Sequence, residues 1–435
     1  MIGQSLIKKR KIWDLRCILN FKLNFNQMNM IKKFTGVLII VFIIQMSGFG
    51  QDSYYPGSWG DWEKKSPAEV GVNQNAIDEA VKYAQENESE SPRNLEHAHY
   101  LGFGKEPFGD AVGPHKTRGD QTGIIIKDGY IIAEWGEPYR VDMTFSVSKS
   151  FLSSTVGLAY DQGLIRDVHE KVQSYMGPVL FAEASRGPNK ADYMQDDKVH
   201  DLFATEHNSK ITWNHLLRQT SDWEGTLFGK PEWADRLSGE PKEWISRPRK
   251  EPGSVFEYND TRVNLLALAA TNIWRKPLPK ILREQIMDPI GASPTWRWLG
   301  YENSWVVIDG EYIQVVSGGG HWGGGMMLSA RDQARFGYLT LRRGKWKNQQ
   351  ILSDEWVSMA LTPTEANDGY GFMNWFLNSG ENPRIPSAPK SSFFHLGAGT
   401  NMVYVDPEND LVIVARWIKR QAMDGIVKRV LEGIK

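Results

Sequence analysis

The chain has 435 residues, 41% apolar, 11% aromatic and 24% charged, a globular balance that excludes a disordered, collagen-like or multispan membrane protein. The formal charge is −1, but residues 1–50 hold eight basic side chains and one acid, Asp14, so residues 51–435 carry 43 basic and 51 acidic side chains, a net −8. A body that acidic has no electrostatic footprint for nucleic acid, and a single cysteine, Cys17, excludes an internal disulfide, a zinc ribbon, an iron–sulfur cluster and thiol catalysis.

Residues 30–50 have the pattern of a signal peptide. Lys32 and Lys33 form a basic start, Val37–Ile44 is uninterrupted apolar chain, and Gly48 and Gly50 are small residues with the spacing of a cleavage site. The pattern predicts export, to the periplasm or the medium. Residues 1–29 then read as an upstream extension, with initiation at Met30 or Met28. The apolar run is shorter than the roughly 20 residues of a spanning helix. No cysteine follows it to carry a lipid, so no stable membrane anchor is expected.

Residues 51–435 read as the working domain. Asn73 caps a helix with Ile77, Ala80, Val81 and Ala84 on one face. Two β-rich runs, 123–126 and 130–135, flank Lys127-Asp128-Gly129 and predict a tight hairpin. Residues 146–162 read as a buried helix ending at Gly163. From about 165 to 300 the chain is helical and loop-like. A glycine cluster follows at 317–325, around His321 and Trp322, and Ser329-Ala-Arg-Asp332 opens another helix. Apolar strands at 393–396, 402–405 and 411–417 and a last helix near 422–431 close the chain. Strands at both ends with helices between predict one sheet built from both termini, interrupted by a helical region.

Three short motifs carry chemistry. Ser146-Val-Ser-Lys149 puts a hydroxyl and an ammonium on one helix face, the hydroxyl at the helix start where developing negative charge is favoured. Pro252-Gly-Ser-Val-Phe-Glu-Tyr258-Asn-Asp260 places a tyrosine just ahead of an apolar run, where a nearby lysine eases its proton transfer. His395-Leu-Gly397-Ala398 lies on a late strand, where glycine admits a substrate to the backbone and the next N–H can point at an oxyanion. Each has an ordinary reading when taken singly: a capping serine, a half-buried tyrosine, a sheet-edge histidine. Ser5–Lys8, Ser387–Lys390, Tyr301–Asn303 and His321–Gly323 are rival matches in poorer contexts. His97-Ala-His99 lacks a third ligand at a sensible spacing, so no metal site is expected. Trp223, in the Trp-rich stretch 213–244, is a candidate cleft residue.

The order and spacing of the three motifs resemble the serine β-lactamase and penicillin-binding-protein superfamily. The class C-like branch, with its family VIII esterases and 6-aminohexanoate-dimer hydrolases, is the most similar. Phe145–Lys149, Pro252–Tyr258, Leu216-Leu-Arg-Gln-Thr-Ser221 and Gly318–Gly320 with Ser329–Asp332 all match that pattern over roughly residues 60–435. The resemblance implies an α+β, β-lactamase-like fold: an antiparallel sheet from both ends of the chain flanked by helices, with an inserted all-helical region. It implies that Ser146 is acylated, that Lys149 and Tyr258 share the proton transfers, and that the N–H groups of Ser146 and Ala398 bind the oxyanion. No metal or cofactor is implied. His395 takes the place of a fixed cation, and Asp260 the place of an asparagine. An acid at 260 is expected to hold Lys149 protonated and to repel anionic substrates; with His395 it weighs against an efficient β-lactamase. The expected activity is hydrolysis of a small ester or linear amide. The alternatives are a β-lactamase or a penicillin-binding-like, non-catalytic sensor or binding protein.

Overall fold

The computed structural model describes residues 53–182, 199–237, 239–319 and 325–434. The signal-peptide and extension readings, Cys17, and His321 and Trp322 of the glycine cluster lie outside the described residues. The unit spanning Tyr54–Lys435 is built around a six-stranded antiparallel sheet.

Helix α1 (Gln74–Glu86) starts where the Asn73 side chain accepts the Ala76 N–H, and it buries Ile77, Ala80 and Ala84. Strands β1 (Thr122–Lys127) and β2 (Tyr130–Trp135) form the expected hairpin, with positive φ at both Asp128 and Gly129. Helix α2 (Ser148–Asp161) follows a 3₁₀ turn, Phe145–Val147. Helix α3 spans Asp260–Trp274. The hairpin β3 (Arg297–Ile308) and β4 (Glu311–Val316) leads to β5 (Gly325–Leu328) and helix α4 (Ala330–Leu341). The chain ends with β6 (Phe376–Leu377), β7 (Phe393–Gly397), β8 (Asn401–Asp406), β9 (Leu411–Arg416) and helix α5 (Ala422–Ile434).

The large sheet runs β6-β7-β8-β9-β1-β2. Its middle joins the two ends of the domain, since Ile124 of β1 opposes Val414 of β9. Both faces are covered. Ile124, Ile126, Val403, Val405, Val412 and Val414 share one core with α2 and α4, whereas Ile125, Met402, Tyr404 and Ile413 share a second with α1 and α5. Burial on both faces explains why these strands read as continuous apolar runs rather than alternating ones.

The region 165–300 carries α3 and shorter helices, together with two- and three-residue strands at 179–181, 199–200, 226–227 and 230–231. Strands that short leave no periodicity to read. A second antiparallel sheet links Asp142–Met143, β5, β3 and two of those short strands, with β4 on β3. Both sheets hold the segment before Ser146: the Thr144 N–H donates to Met326 O of β5, and the buried Arg416 guanidinium of β9 donates to Leu328 O and Met143 O. No helix among the described residues is long and apolar enough to cross a membrane.

Candidate active site

Ser146 sits in the 3₁₀ turn ahead of α2, half-buried, on the wall of a cavity of about 710 Å³, a size that suits a small-molecule ligand. The turn is tightly formed. Phe145 before it has φ +50, a conformation unfavourable for an aromatic residue. Gly319 packs against it with φ +87, and a Cβ there would stand 2.0 Å from Phe145 O and 3.0 Å from Ser146 Cα. Gly397 at the end of β7 has the same kind of role: a Cβ would meet Thr144 O at 2.0 Å and lie 3.3 Å from Ser146 N. Glycine there brings the strand up to the Ser146 amide and sets Ala398 on the cavity wall beside it.

One helical turn after Ser146, Lys149 is fully buried and its Nζ donates to Ser146 Oγ at 2.8 Å. Tyr258 is hydrogen-bonded to Ser146 as well, and Lys149 Nζ lies 5.1 Å from the centre of its ring. Burial raises the Tyr258 hydroxyl above its ordinary pKa and Asp260 adds to this, with Arg236 and the Ser146 bond opposing. The lysine, the tyrosine and the serine hydroxyl thus form one hydrogen-bonded group opening onto the cavity.

The segment carrying Tyr258 is fixed on both sides by Gln219. The Glu257 N–H donates to Gln219 O, the Asn259 N–H to Gln219 Oε1, and Gln219 Nε2 donates to the Tyr370 hydroxyl. This explains the Leu-Leu-x-x-Thr-Ser stretch, which clamps the tyrosine loop and does not touch the cavity. Asn259 caps α3 by accepting the Arg262 N–H, which leaves Asp260 at the first helical position, where a carboxylate is favoured. Asp260 Oδ1 lies 2.7 Å from Lys149 Nζ and its Oδ2 accepts from Arg236 at 2.9 Å. Burial works against the Arg236 charge, but Asp260 and Asp235 outweigh it and hold the group as a cation.

The structure therefore brings Ser146, Lys149, Tyr258 and Asp260 together and places Gly397 and Ala398 on the same cavity. It does not bring His395 or Trp223 there. Successive side chains of β7 point to opposite faces, so Leu396 lines the cavity while His395 turns into the core. His395 Nδ1 lies 2.9 Å from Ser150 Oγ, its ring packs on Trp375 and Phe336, and burial pushes its pKa down to about 3. Trp223 is core, with Nε1 donating to Leu202 O. The expected repulsion of anions by Asp260 is also corrected, because two cations already occupy its oxygens. Sequence reasoning missed Arg236, Gln219 and Gly319. Arg236 stands in a positive-φ turn with no motif around it; Gln219 and Gly319 fall within Leu216–Ser221 and Gly318–Gly320, where neither side chain marks a role by its chemistry.

The Beta-lactamase family model matches residues 110–421. The chain belongs to the Beta-lactamase family. The 6-aminohexanoate-dimer hydrolase of Paenarthrobacter ureafaciens is 22% identical over 303 residues, 67% of this chain and 70% of that protein. The crystal structure of SurE with D-Leu has a TM-score of 0.50 at 13% identity, covering 84% of this chain and 75% of that one. That of a family VIII carboxylesterase has a TM-score of 0.49 at 14% identity, covering 84% and 98%. The antiparallel, two-ended sheet is the β-lactamase-like fold, and the protein is a β-lactamase-related serine hydrolase.

Proposed function

We propose that this β-lactamase-related protein is an exported hydrolase that cleaves a small ester or linear amide through an acyl-enzyme on Ser146. The observation that carries the reading is the contact of Lys149 Nζ with Ser146 Oγ at 2.8 Å, with Tyr258 on the same hydroxyl, at the wall of the cavity. Ser146 Oγ attacks the carbonyl carbon and its proton passes into the Lys149–Tyr258 pair. The N–H groups of Ser146 and Ala398 receive the oxyanion. The C–O or C–N bond to the leaving group breaks as that group takes the proton back, and water repeats the sequence in reverse to free the acid and Ser146. Export is supported by the residue 30–50 pattern alone, and protein sequencing of the N-terminus from culture fractions tests it.

At the cavity mouth Arg384 and Arg420 are exposed, and neither has a carboxylate partner among the described residues. That surplus of positive charge on an acidic body favours substrates that carry a carboxylate of their own. The test sets the wild type beside Ser146→Ala on a chromogenic ester series including a succinyl member, an aminoacyl anilide and a chromogenic cephalosporin. Turnover lost in Ser146→Ala, and highest on esters or anilides, is the expected result. Equal turnover in Ser146→Ala contradicts it.

A further inference from the structure

The two amides assigned to the oxyanion come from different parts of the chain. Ser146 follows the short strand Asp142–Met143, and Ala398 lies in the turn between β7 and β8. One buried side chain connects them. Arg416, at the end of β9, donates to three neutral oxygens on three segments: Nη2 to Met143 O at 3.1 Å, Nη1 to Leu328 O at 2.7 Å and Nε to Asn401 Oδ1 at 2.8 Å. Burial pushes its pKa down to about 10, with Asp142 opposing, so it is a cation at neutral pH. A well-packed apolar side chain is often as stabilising in such a place, so stability alone gives little reason for a guanidinium here. Asn401 carries the connection to the turn. It is fully buried, and its Nδ2 donates to Ala398 O at 2.7 Å. Only this orientation of the amide meets both partners, since a guanidinium only donates and a carbonyl only accepts.

We propose that Arg416 and Asn401 are positioning residues that fix the Ala398 N–H relative to the Ser146 N–H, so that both meet the same oxyanion. This rests on the reading of Ser146 as the acylated residue. The Ala398 N–H is set from both sides. On one, Gly397 packs against Thr144 O; on the other, the Ala398 carbonyl is held by Asn401. The rest of the turn has little slack. Gly399 has φ +71 and Thr400 φ +53, and a Cβ on Gly399 would stand 2.3 Å from the indole of Trp417, the residue after Arg416. Neither Arg416 nor Asn401 lines the cavity, so both act through the turn. A donor aimed at developing charge acts on the chemical step, and moving it slows that step while leaving substrate binding nearly unchanged.

The experiment uses the full chain, wild type beside Asn401→Asp, on the best ester of the series above and on its thionoester, with the slower substrate followed in single turnovers. Asp keeps the size of Asn and the acceptor for Arg416, and loses the donor to Ala398 O. Sulfur is a weak hydrogen-bond acceptor, so the thionoester draws less on the two amides than the ester does. In Asn401→Asp, kcat on the ester falls about 10-fold to 100-fold with KM within about 3-fold of wild type. The ratio of ester to thionoester rates falls by about 10-fold or more, which a general loosening of the fold would not produce. An unchanged ratio in the folded variant, or a raised KM with kcat unchanged, overturns the positioning role. Fluorophosphonate label on a residue other than Ser146, read by peptide mass in the wild type, overturns the underlying reading instead. Should Asn401→Asp fail to fold, Asn401→Ser, smaller and uncharged, decides by the same ratio, and an unchanged ratio there overturns the proposal.

Discussion

Tyr258 and His395 each stand in a motif read for its chemistry, the tyrosine as a proton relay and the histidine beside a glycine that admits substrate, and their surroundings separate them. Tyr258 is bonded to Ser146 and stands between Lys149 and Arg236, each facing its ring at about 5 Å. Its hydroxyl is raised by burial and by Asp260, so it stays protonated through neutral pH, and in the proposed mechanism it carries the serine proton rather than standing as a base. Tyr258→Phe keeps the ring and removes the carrier, so turnover of the best ester falls by about 10²-fold to 10⁴-fold; a rate near wild type rejects the proton-relay role. His395 is instead a stability residue. Burial holds it neutral, with a pKa of about 3 in the folded protein against about 6.5 when unfolded. As pH falls the unfolded chain takes up the proton first. The stability contributed by the neutral ring is therefore complete above about pH 6.5 and is lost as pH falls toward about 3. His215, lowered by burial to about 4, adds to the same window. His395→Asn keeps a polar partner for Ser150 and removes the titration. Its melting temperature declines less steeply than wild type between about pH 6.5 and 4, and an unchanged slope in a pH series of thermal melts speaks against this account.

At the scale of elements, the helix that follows Ser146, the Asp128-Gly129 hairpin and the caps at Asn73 and Ser329 were legible because each is written in neighbouring residues, although the helix begins at Ser148 and Ser146 lies in the 3₁₀ turn before it. The faces of β7 were not. The strand is covered on both sides, so its sequence carries no alternation to mark which side chains turn toward the cavity, and the histidine was assigned to the wrong one. Arg236 was hidden for a different reason, since it reaches Asp260 from a turn 24 residues away. Gly319 shows what the local geometry demands of the element that supports the serine turn. Gly319→Ala puts a methyl group 2.0 Å from Phe145 O, at a φ of +87 that an L-residue rarely adopts. The backbone strain alone is about 1–2 kcal/mol, and relief requires the serine turn to move. Gly319→Ala is expected to lower the melting temperature and to cut turnover by more than about 10-fold. Wild-type kinetics in that variant would remove the glycine from the account.

Across the whole molecule, the two-ended sheet does the work of assembly. Strand β1 near one end pairs with β9 near the other, and the chain between them returns Tyr258 and Asp260 to Ser146 and Lys149 from more than a hundred residues away. Order and spacing of the motifs conveyed that convergence, but not its chemistry. Charge shows the same limit: composition gives a body at −8, whereas the cavity mouth presents Arg384 and Arg420, a distribution that no net count contains. Everything proposed for the site depends on one covalent event at one oxygen. Intact-mass spectrometry of the full chain after exposure to a fluorophosphonate, wild type beside Ser146→Ala, tests it directly. The account predicts one added group in the wild type, mapped to the peptide that contains Ser146, and none in Ser146→Ala. An adduct that persists in Ser146→Ala, or that maps to another residue of the wild type, would contradict it.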